Sequence, residues 1–325
     1  MTHPNPNVIY CHSYPRSGSN WFKYCFEFIT KTKSMPRELN HESWMKSNKA
    51  DYPQRLYHTH VPSTYHFEKN SQIALPSPWT KNVTLVRNYK EAIISNTLNW
   101  VIKLKDDTTL RCLITPDHLD PSIPNWLAGR LEKVTDFIPG APRTRDTKKC
   151  EFYRSEIPQV INSLEEVVMS NAVIHEIFIS EMIQYYFCLE FHYKTETLYP
   201  QNALIIYYED FVKNPYKSLN SFIDFLERHN LPLLNNTSMF RKNLDELMNN
   251  LDFHRTVCIN QYRTATWNPA VSYKHKTRDI NLEHHSSKEN KDFLKQIDKI
   301  MMNSKLFDSV LFDTYLSRYK TPEDD

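Results

Sequence analysis

Residues 13–21, with the sequence SYPRSGSNW, have the types and spacing of a turn that binds oxyanions. An apolar run at residues 8–11 precedes the turn and apolar residues follow it at helical spacing, so it joins a strand to a helix. The first N–H groups of a helix lack intrahelical partners and lie at the positive end of its dipole. Amides and hydroxyls at this helix start can therefore surround a phosphate, and a neighbouring guanidinium adds a permanent cation. The donors are Arg16, Ser17, Gly18, Ser19 and Asn20.

A second group of polar residues follows another predicted strand, at residues 82–86. Arg87 comes directly after that strand, and Ser95 lies eight residues further on. The intervening sequence predicts a helix over residues 89–102, with Asn88 as its cap. Arginine offers phosphate a bidentate fork and serine offers a hydroxyl donor, so this pair also has the chemistry of a phosphate site.

The elements that position these residues alternate between strand and helix. A third apolar strand is predicted at residues 203–208, and a helix at residues 215–229 follows it. Residues 156–192 keep helical spacing and predict one or two long helices before the third strand. Such alternation predicts an α/β fold in which helices flank a central parallel sheet on both faces. In these sheets ligands bind at the carboxyl ends of the strands, where the polar groups lie.

The chain length of 325 residues predicts a single elaborated domain. Residues 104–155 are polar, irregular and punctuated by prolines, which indicates an insertion or a substrate lid within that domain.

Composition restricts the partners of the protein. A formal net charge of +2 argues against a general nucleic-acid binder, and no apolar run approaches the roughly 20 residues that cross a bilayer. We therefore expect a soluble cytoplasmic protein with neither a nucleic-acid nor a membrane partner. The six cysteines form no CxxC pair, which favours reduced thiols, and the histidines have no recognised zinc spacing, so we expect no metal. The sequence leaves the oligomeric state open.

Four segments, in order, resemble motifs of the sulfotransferases that use 3'-phosphoadenosine 5'-phosphosulfate (PAPS). The sequence YPRSGSNW at residues 14–21 resembles YPKSGTTW, and HTHVP at residues 58–62 resembles KTHLP. RNYKEAIIS at residues 87–95 resembles RNxKDxxxS, and YYED at residues 207–210 resembles FYED. The resemblance implies the P-loop-like three-layer fold of the cytosolic-type sulfotransferases, an enzyme of this class, and PAPS as a donor that is released as 3',5'-bisphosphate adenosine (PAP).

The resemblance also implies roles for individual residues. Residues 16–21, which end at Trp21, would hold the 5'-phosphosulfate, and Arg16 would stabilise the leaving phosphate. Arg87 and Ser95 would bind the 3'-phosphate. The ring of Tyr208 would lie near the adenine, although an aromatic residue at a strand end also packs a sheet edge in ordinary cores.

His60 would be the general base that takes a proton from the acceptor, and an ordinary imidazole pKa of roughly 6.5 suits that task. The neighbouring His58 is the alternative base.

The chain departs from the family pattern at two places. The family's cytosolic members usually have lysine where Arg16 stands, and arginine stabilises a leaving group without donating a proton. The cofactor loop RKGxxGDW is poorly matched by residues 260–267, which keep Trp267 and a displaced Arg263 but lose both glycines. Phe253 is a further candidate, in place of an adenine-stacking phenylalanine.

Two other functions compete with sulfotransfer. A P-loop nucleotide kinase also places an anion turn between strand and helix, but the pattern Gly-x4-Gly-Lys-Ser/Thr is absent around Gly18. A non-catalytic module that binds the bisphosphate nucleotide would not need His60. We expect a small-molecule acceptor, and the sequence leaves open whether it is a phenol, alcohol, amine, sugar or saxitoxin-type alkaloid. Both O- and N-sulfation remain chemically open.

Overall fold

The computed structural model describes residues 8–14, 17–32, 34, 56–59, 78–106, 172–229, 237–264, 288–302 and 309–322. Contacts divide the chain into two compact units. The first unit comprises the described parts of residues 1–70, 74–87 and 190–269, and the second those of residues 71–73, 88–189 and 270–325. The expectation of one elaborated domain stays a prediction. The predicted lid at 104–155 lies outside the described residues except for its first three, which end a helix.

A four-stranded sheet forms the centre of the first unit, and all of its strands are parallel. The spatial order is β2-β1-β3-β4. This confirms the predicted α/β fold with a central parallel sheet. The strands are β1 (Ile9–Ser13), β2 (Leu56–Thr59), β3 (Lys81–Val86) and β4 (Ala203–Tyr207). Of these, β2 is absent from the sequence prediction.

Eight helices in the described ranges are long enough to number: α1 (Ser19–Thr30), α2 (Tyr89–Asp106), α3 (Ala172–Leu198), α4 (Tyr208–Lys213), α5 (Pro215–His229), α6 (Thr237–Asn249), α7 (Leu251–Thr264) and α8 (Lys288–Met301). Shorter turns occur at Pro200–Asn202 and from Ser309–Leu311 through Phe312–Leu316 to Ser317–Tyr319. Helix α2 continues past the predicted end at residue 102. Tyr208 begins a helix, whereas the sequence placed it in the preceding strand.

One face of the sheet packs against α1 and α5, and α6 packs on these two helices. The buried residues of α1 recur at the three- and four-residue spacing of an amphipathic helix. They meet alternate residues of β1 and β3, as the two-residue period of a strand requires. The aromatic and aliphatic side chains of this core include Phe22, Phe26, Ile29, Ile9, Val83, Leu85, Phe222, Ile223 and Leu244.

The opposite face of the sheet packs against the C-terminal end of α3, which belongs to the first unit. The ring of His12 in β1 meets that of Phe191 edge-on at 4.7 Å, and Nδ1 of His192 lies 3.0 Å from the hydroxyl of Thr84 in β3. Both faces of the sheet are therefore covered, as the sequence predicted for a three-layer arrangement.

The second unit has an aromatic core of its own. Tyr89 of α2 is fully buried and meets Tyr185 of α3 and Phe312 edge-on, with ring centroids 6.4 and 5.9 Å apart. Phe178 of α3 packs against Phe293 of α8 at 6.0 Å. Within the described ranges, no helix is both long and apolar enough to cross a membrane. The four described cysteines, Cys11, Cys25, Cys188 and Cys258, are buried.

Candidate functional site

The polar turn after β1 has the geometry of an anion cradle. The amide of Ser17 donates to the carbonyl of Tyr14 at 3.2 Å, which closes the turn. Gly18 has a φ of 83°, in the left-handed region that favours glycine, and it caps α1 without a side-chain hydrogen bond. The first helical bond runs from the amide of Phe22 to the carbonyl of Gly18 at 3.1 Å. The amides of residues 19–21 precede that bond, so they are available to an external anion.

The ring of Tyr208 lies directly against Gly18. A Cβ atom at residue 18 would overlap Cδ2 and Cε2 of this ring, so the close approach requires glycine independently of the backbone angle. The guanidinium carbon of Arg87 lies 5.0 Å from the centroid of the same ring, within the range of a cation–π interaction. Gly18, Tyr208 and Arg87 therefore form a continuous row, which we call the strand-end row.

Sheet register explains why the strand-end row forms. Strand β1 pairs with β3, so that Ser13 lies opposite Leu85, and β3 pairs with β4, so that Val86 lies opposite Tyr207. The residues that follow these strands emerge side by side at the carboxyl edge of the sheet. This is the edge at which ligands bind in parallel α/β sheets.

The hydroxyl of Ser17 is a polar group in the turn that lacks a hydrogen-bond partner among the described residues. Ser17 is 1% exposed, and its Oγ has no hydrogen-bond partner among the described residues. A buried hydroxyl without a partner is destabilising, and native structures rarely retain one without a reason. An oxyanion in the turn would accept this hydrogen bond. The residues present therefore fit a phosphate group.

A histidine from β2 reaches the end of β1. Parallel pairing places His58 opposite Cys11, and Nε2 of His58 lies 2.7 Å from Oγ of Ser13. Ser13 is fully buried and ends the strand that enters the anion turn. The Nε2 atom of His58 is thus engaged by a residue adjoining the turn.

Trp21, at the start of α1, lies in an aromatic cluster. Its ring stacks on Tyr24 at 5.6 Å and on Phe211 at 6.2 Å. The hydroxyl of Tyr24 lies 2.7 Å from Nδ1 of His254 in α7. Burial raises the pKa of Tyr24 and lowers that of His254, so burial favours the neutral form of both groups. The Trp21 ring therefore packs between α1 and Phe211 of α4.

The sequence matches the family described as the sulfotransferase domain over residues 6–257. The chain belongs to the sulfotransferase family. No curated protein matches it. Among solved structures, mouse sulfotransferase SULT7A1 complexed with PAP is similar, at 18% sequence identity and a TM-score of 0.35. The match covers 72% of this chain and 65% of that one, so the chain spans less than two thirds of that relative's length.

Several residues predicted from the family motifs are now located. The structure brings together Ser17, Gly18, Arg87 and Tyr208 in the first unit, as described above. Ser19 is buried and Asn20 half-buried in the first turn of α1. Ser95 is half-buried in α2, in the second unit.

The remaining predicted residues are placed less completely. Arg16, His60 and Trp267 lie outside the described residues. Arg263 lies in α7 with its backbone alone described, and Phe253 lies in the same helix, 65% exposed, with its ring 5.4 Å from that of His254. The functional roles of all the predicted site residues, these five included, stay predictions.

The sequence placed Ser13 in the anion-binding stretch but did not predict its contact with His58. The contact of Ser13 with His58 depends on β2, which has four residues and ends in the polar pair His58 and Thr59. Such a strand lacks the apolar run that identified the other three. The HTH segment at residues 58–60 was the one available signal, because Leu56 and Tyr57, which directly precede His58, are residue types that occur in strands.

Proposed function

We propose that this chain is an enzyme that transfers the sulfuryl group of PAPS to a hydroxyl or amine of a small-molecule acceptor and releases PAP. Family membership supports the reaction class. The observation that carries the proposal is the buried Ser17 hydroxyl, which has no partner among the described residues and adjoins the amides at the start of α1. This arrangement suits an oxyanion better than any neutral ligand.

The nucleotide would be held from both of its phosphate ends. Arg16 and the turn through Trp21 would bind the 5'-phosphosulfate, and Arg87 with Ser95 would bind the 3'-phosphate. Tyr208, which lies against Gly18 and within 5.0 Å of the Arg87 guanidinium, would line the nucleoside. When bound, PAPS supplies the activated sulfuryl group. The chain contributes donors fixed at the start of α1 before the ligand arrives, which reduces the reorganisation needed during reaction.

We assign the general base to His60, which would accept the proton of the acceptor, and we assign His58 to a supporting role. The engagement of His58 Nε2 by Ser13 Oγ at 2.7 Å supports this division, because a base needs a ring nitrogen that faces the acceptor. Arg16 would stabilise the charge that develops on the leaving phosphate. Residues 104–155 would form the lid that selects the acceptor, and a cytoplasmic location stays a prediction.

Ligand-dependent stability tests the binding part of the proposal. We expect PAP to raise the melting temperature of the purified protein, and ATP with magnesium to raise it less or not at all. Stabilisation by ATP with magnesium alone would contradict the proposal and would favour a nucleotide kinase. No stabilisation by either ligand would contradict both.

Transfer from radiolabelled PAPS tests the catalytic part. Phenols, alcohols, amines, sugars and guanidinium alkaloids form a suitable acceptor panel. With an active acceptor, His60→Ala should abolish transfer and leave PAP binding intact, whereas His58→Ala should retain measurable transfer. The reverse pattern would assign the base to His58. Binding of PAP without transfer to any acceptor would indicate a non-catalytic module.

A further inference from the structure

A buried ionic cluster joins the start of α2 to two distant segments of the second unit. Nζ of Lys90 lies 3.0 Å from Oδ1 and 3.2 Å from Oδ2 of Asp298 in α8. The same ammonium donates to Oγ1 of Thr321 at 2.7 Å. The hydroxyl of Tyr89 donates to Oδ1 of Asp298, and the amide of Thr321 donates to its Oδ2 at 2.7 Å. We call these four residues the α2 anchor.

The α2 anchor is almost completely shielded from water. The side chains of Lys90 and Asp298 are 5% and 4% exposed. Burial lowers the pKa of Lys90, and the contact with Asp298 opposes that effect. Taking an ammonium and a carboxylate out of water is costly, and removing one partner leaves the other charge uncompensated. The cluster therefore permits few alternative positions for the first turn of α2.

Lys90, the lysine of the motif at residues 87–95, is therefore not positioned to bind a phosphate directly. Its ammonium is buried, and its three donors face Asp298 and Thr321. A phosphate could reach it only if this cluster were dismantled.

Ser95 lies between two buried polar contacts of the same helix. Lys90 precedes it by five residues, about 7.5 Å along the helix axis. Directly after Ser95, the side-chain amide of Asn96 donates from Nδ2 to Oε2 of Glu181 in α3 at 2.6 Å, and both side chains are buried. The side chain of Asn88 accepts from the amide of Lys90 at 3.1 Å and caps the helix. The rotation and the axial position of α2 are consequently fixed on both sides of Ser95.

We propose that Lys90 and Asp298 are positioning residues, which hold Ser95 where it recognises the 3'-phosphate of the donor nucleotide. This inference rests on the proposed function, since it assigns the purpose of the α2 anchor to that nucleotide. It separates binding from support within one motif: Ser95 contacts the ligand, and Lys90 acts through the helix.

The test compares PAP with adenosine 5'-phosphate, which lacks the 3'-phosphate. Asp298→Asn keeps an acceptor for Tyr89 but leaves the Lys90 ammonium without its counter-ion. We expect this variant to raise the Kd for PAP at least tenfold and to leave the Kd for adenosine 5'-phosphate within twofold, both by isothermal titration calorimetry. In the transfer assay, the KM for PAPS should rise more than kcat falls.

Two further variants keep the test decisive. The double variant Lys90→Met with Asp298→Asn removes both charges, and we expect it to recover most of the lost PAP affinity. Thr321→Val removes one hydrogen bond and is the milder variant if Asp298→Asn does not fold; we expect it to raise the Kd for PAP about threefold. Arg241→Ala is the control, because its contacts with Asp224 and Glu227 are exposed. It should change neither Kd.

A lower melting temperature with an unchanged Kd for PAP, in Asp298→Asn or in Thr321→Val, would overturn the inference and leave the α2 anchor a purely structural feature. An equal loss of affinity for both nucleotides would also overturn it, because the 3'-phosphate would then have no special part. Failure of the wild-type protein to bind PAP would instead refute the proposed function and, with it, this inference.

Discussion

Replacing Ser17 by alanine should weaken nucleotide binding without weakening the unliganded fold. The hydroxyl of Ser17 is buried and has no hydrogen-bond partner among the described residues. It lies at the turn that begins α1, where the helix has no side-chain cap. If the turn binds an oxyanion, the Ser17 hydroxyl gains its hydrogen bond only when the ligand is bound.

The two expected effects have opposite signs. A buried hydroxyl without a partner costs about 1 to 3 kcal/mol, so Ser17→Ala should leave the free energy of unfolding of the unliganded protein unchanged or raise it. A hydrogen bond to a charged group contributes about 1.5 to 3 kcal/mol, which the variant loses on binding PAP. That loss corresponds to a Kd for PAP that is about 10- to 150-fold higher.

Urea unfolding without ligand and calorimetric titration with PAP measure the two effects separately. Thr30→Val is a matched control at the other end of α1. The hydroxyl of Thr30 is buried but satisfied, since it donates to the carbonyl of Phe26 at 2.8 Å and accepts from the amide of Thr32 at 3.3 Å. This control should lose about 1 kcal/mol of stability and keep its affinity for PAP.

If Ser17→Ala behaved like the control, the Ser17 hydroxyl would have no part in binding an oxyanion. A loss of more than about 1 kcal/mol without ligand, together with an unchanged Kd, would mean that the hydroxyl serves the fold. The turn would then have no demonstrated part in anion binding.

Two further predictions concern the strand-end row and the face of the sheet that α3 covers. Gly18→Ala places a side chain at a φ of 83° and against the Tyr208 ring, so we expect the Kd for PAP to rise at least tenfold in calorimetric titration; an unchanged Kd would contradict the strand-end row. His192 is 1% exposed, and burial lowers its pKa to about 4. As the pH falls, the imidazole therefore binds a proton near pH 6.5 in the unfolded state but only near pH 4 in the folded state. Between pH 7 and pH 5 the free energy of unfolding should therefore fall by about 2 kcal/mol through this group, and urea titrations of His192→Gln should show that much less pH dependence than the wild type. Equal slopes in the two proteins would show that His192 does not carry the effect.

The elements that the sequence predicted are those whose signal is local. Strands β1, β3 and β4 are apolar runs, and the helices α1, α2 and α5 that follow show helical spacing and capping residues. From their alternation the parallel sheet and its binding edge follow by topology alone. The positions of Gly18, Arg87 and Tyr208 at that edge were therefore predictable.

The contacts that distinguish the site were not predictable, because they join residues that are far apart in sequence. The cluster of Lys90 with Asp298 and the contact of Ser13 with His58 depend on helix packing and on strand register. Strand β2 itself escaped detection, because its stability comes from pairing with β1 and its own residues show no periodic pattern.

Gly18 shows how local and distant causes combine at one residue. The positive φ of Gly18 is a property of the turn and could be predicted from the neighbouring residues. The Tyr208 ring, which leaves no room for a side chain at residue 18, comes close to Gly18 only in the folded chain. The centroid of the same ring lies 5.0 Å from the Arg87 guanidinium carbon. The backbone of the turn that we assign to the 5'-phosphosulfate and the cation that we assign to the 3'-phosphate therefore both contact one side chain. A displacement of the Tyr208 ring should affect both Gly18 and Arg87, because residues that share a contact partner do not contribute independently. We therefore expect the motifs around Gly18, Arg87 and Tyr208 to act as one binding unit, although they are separate along the chain.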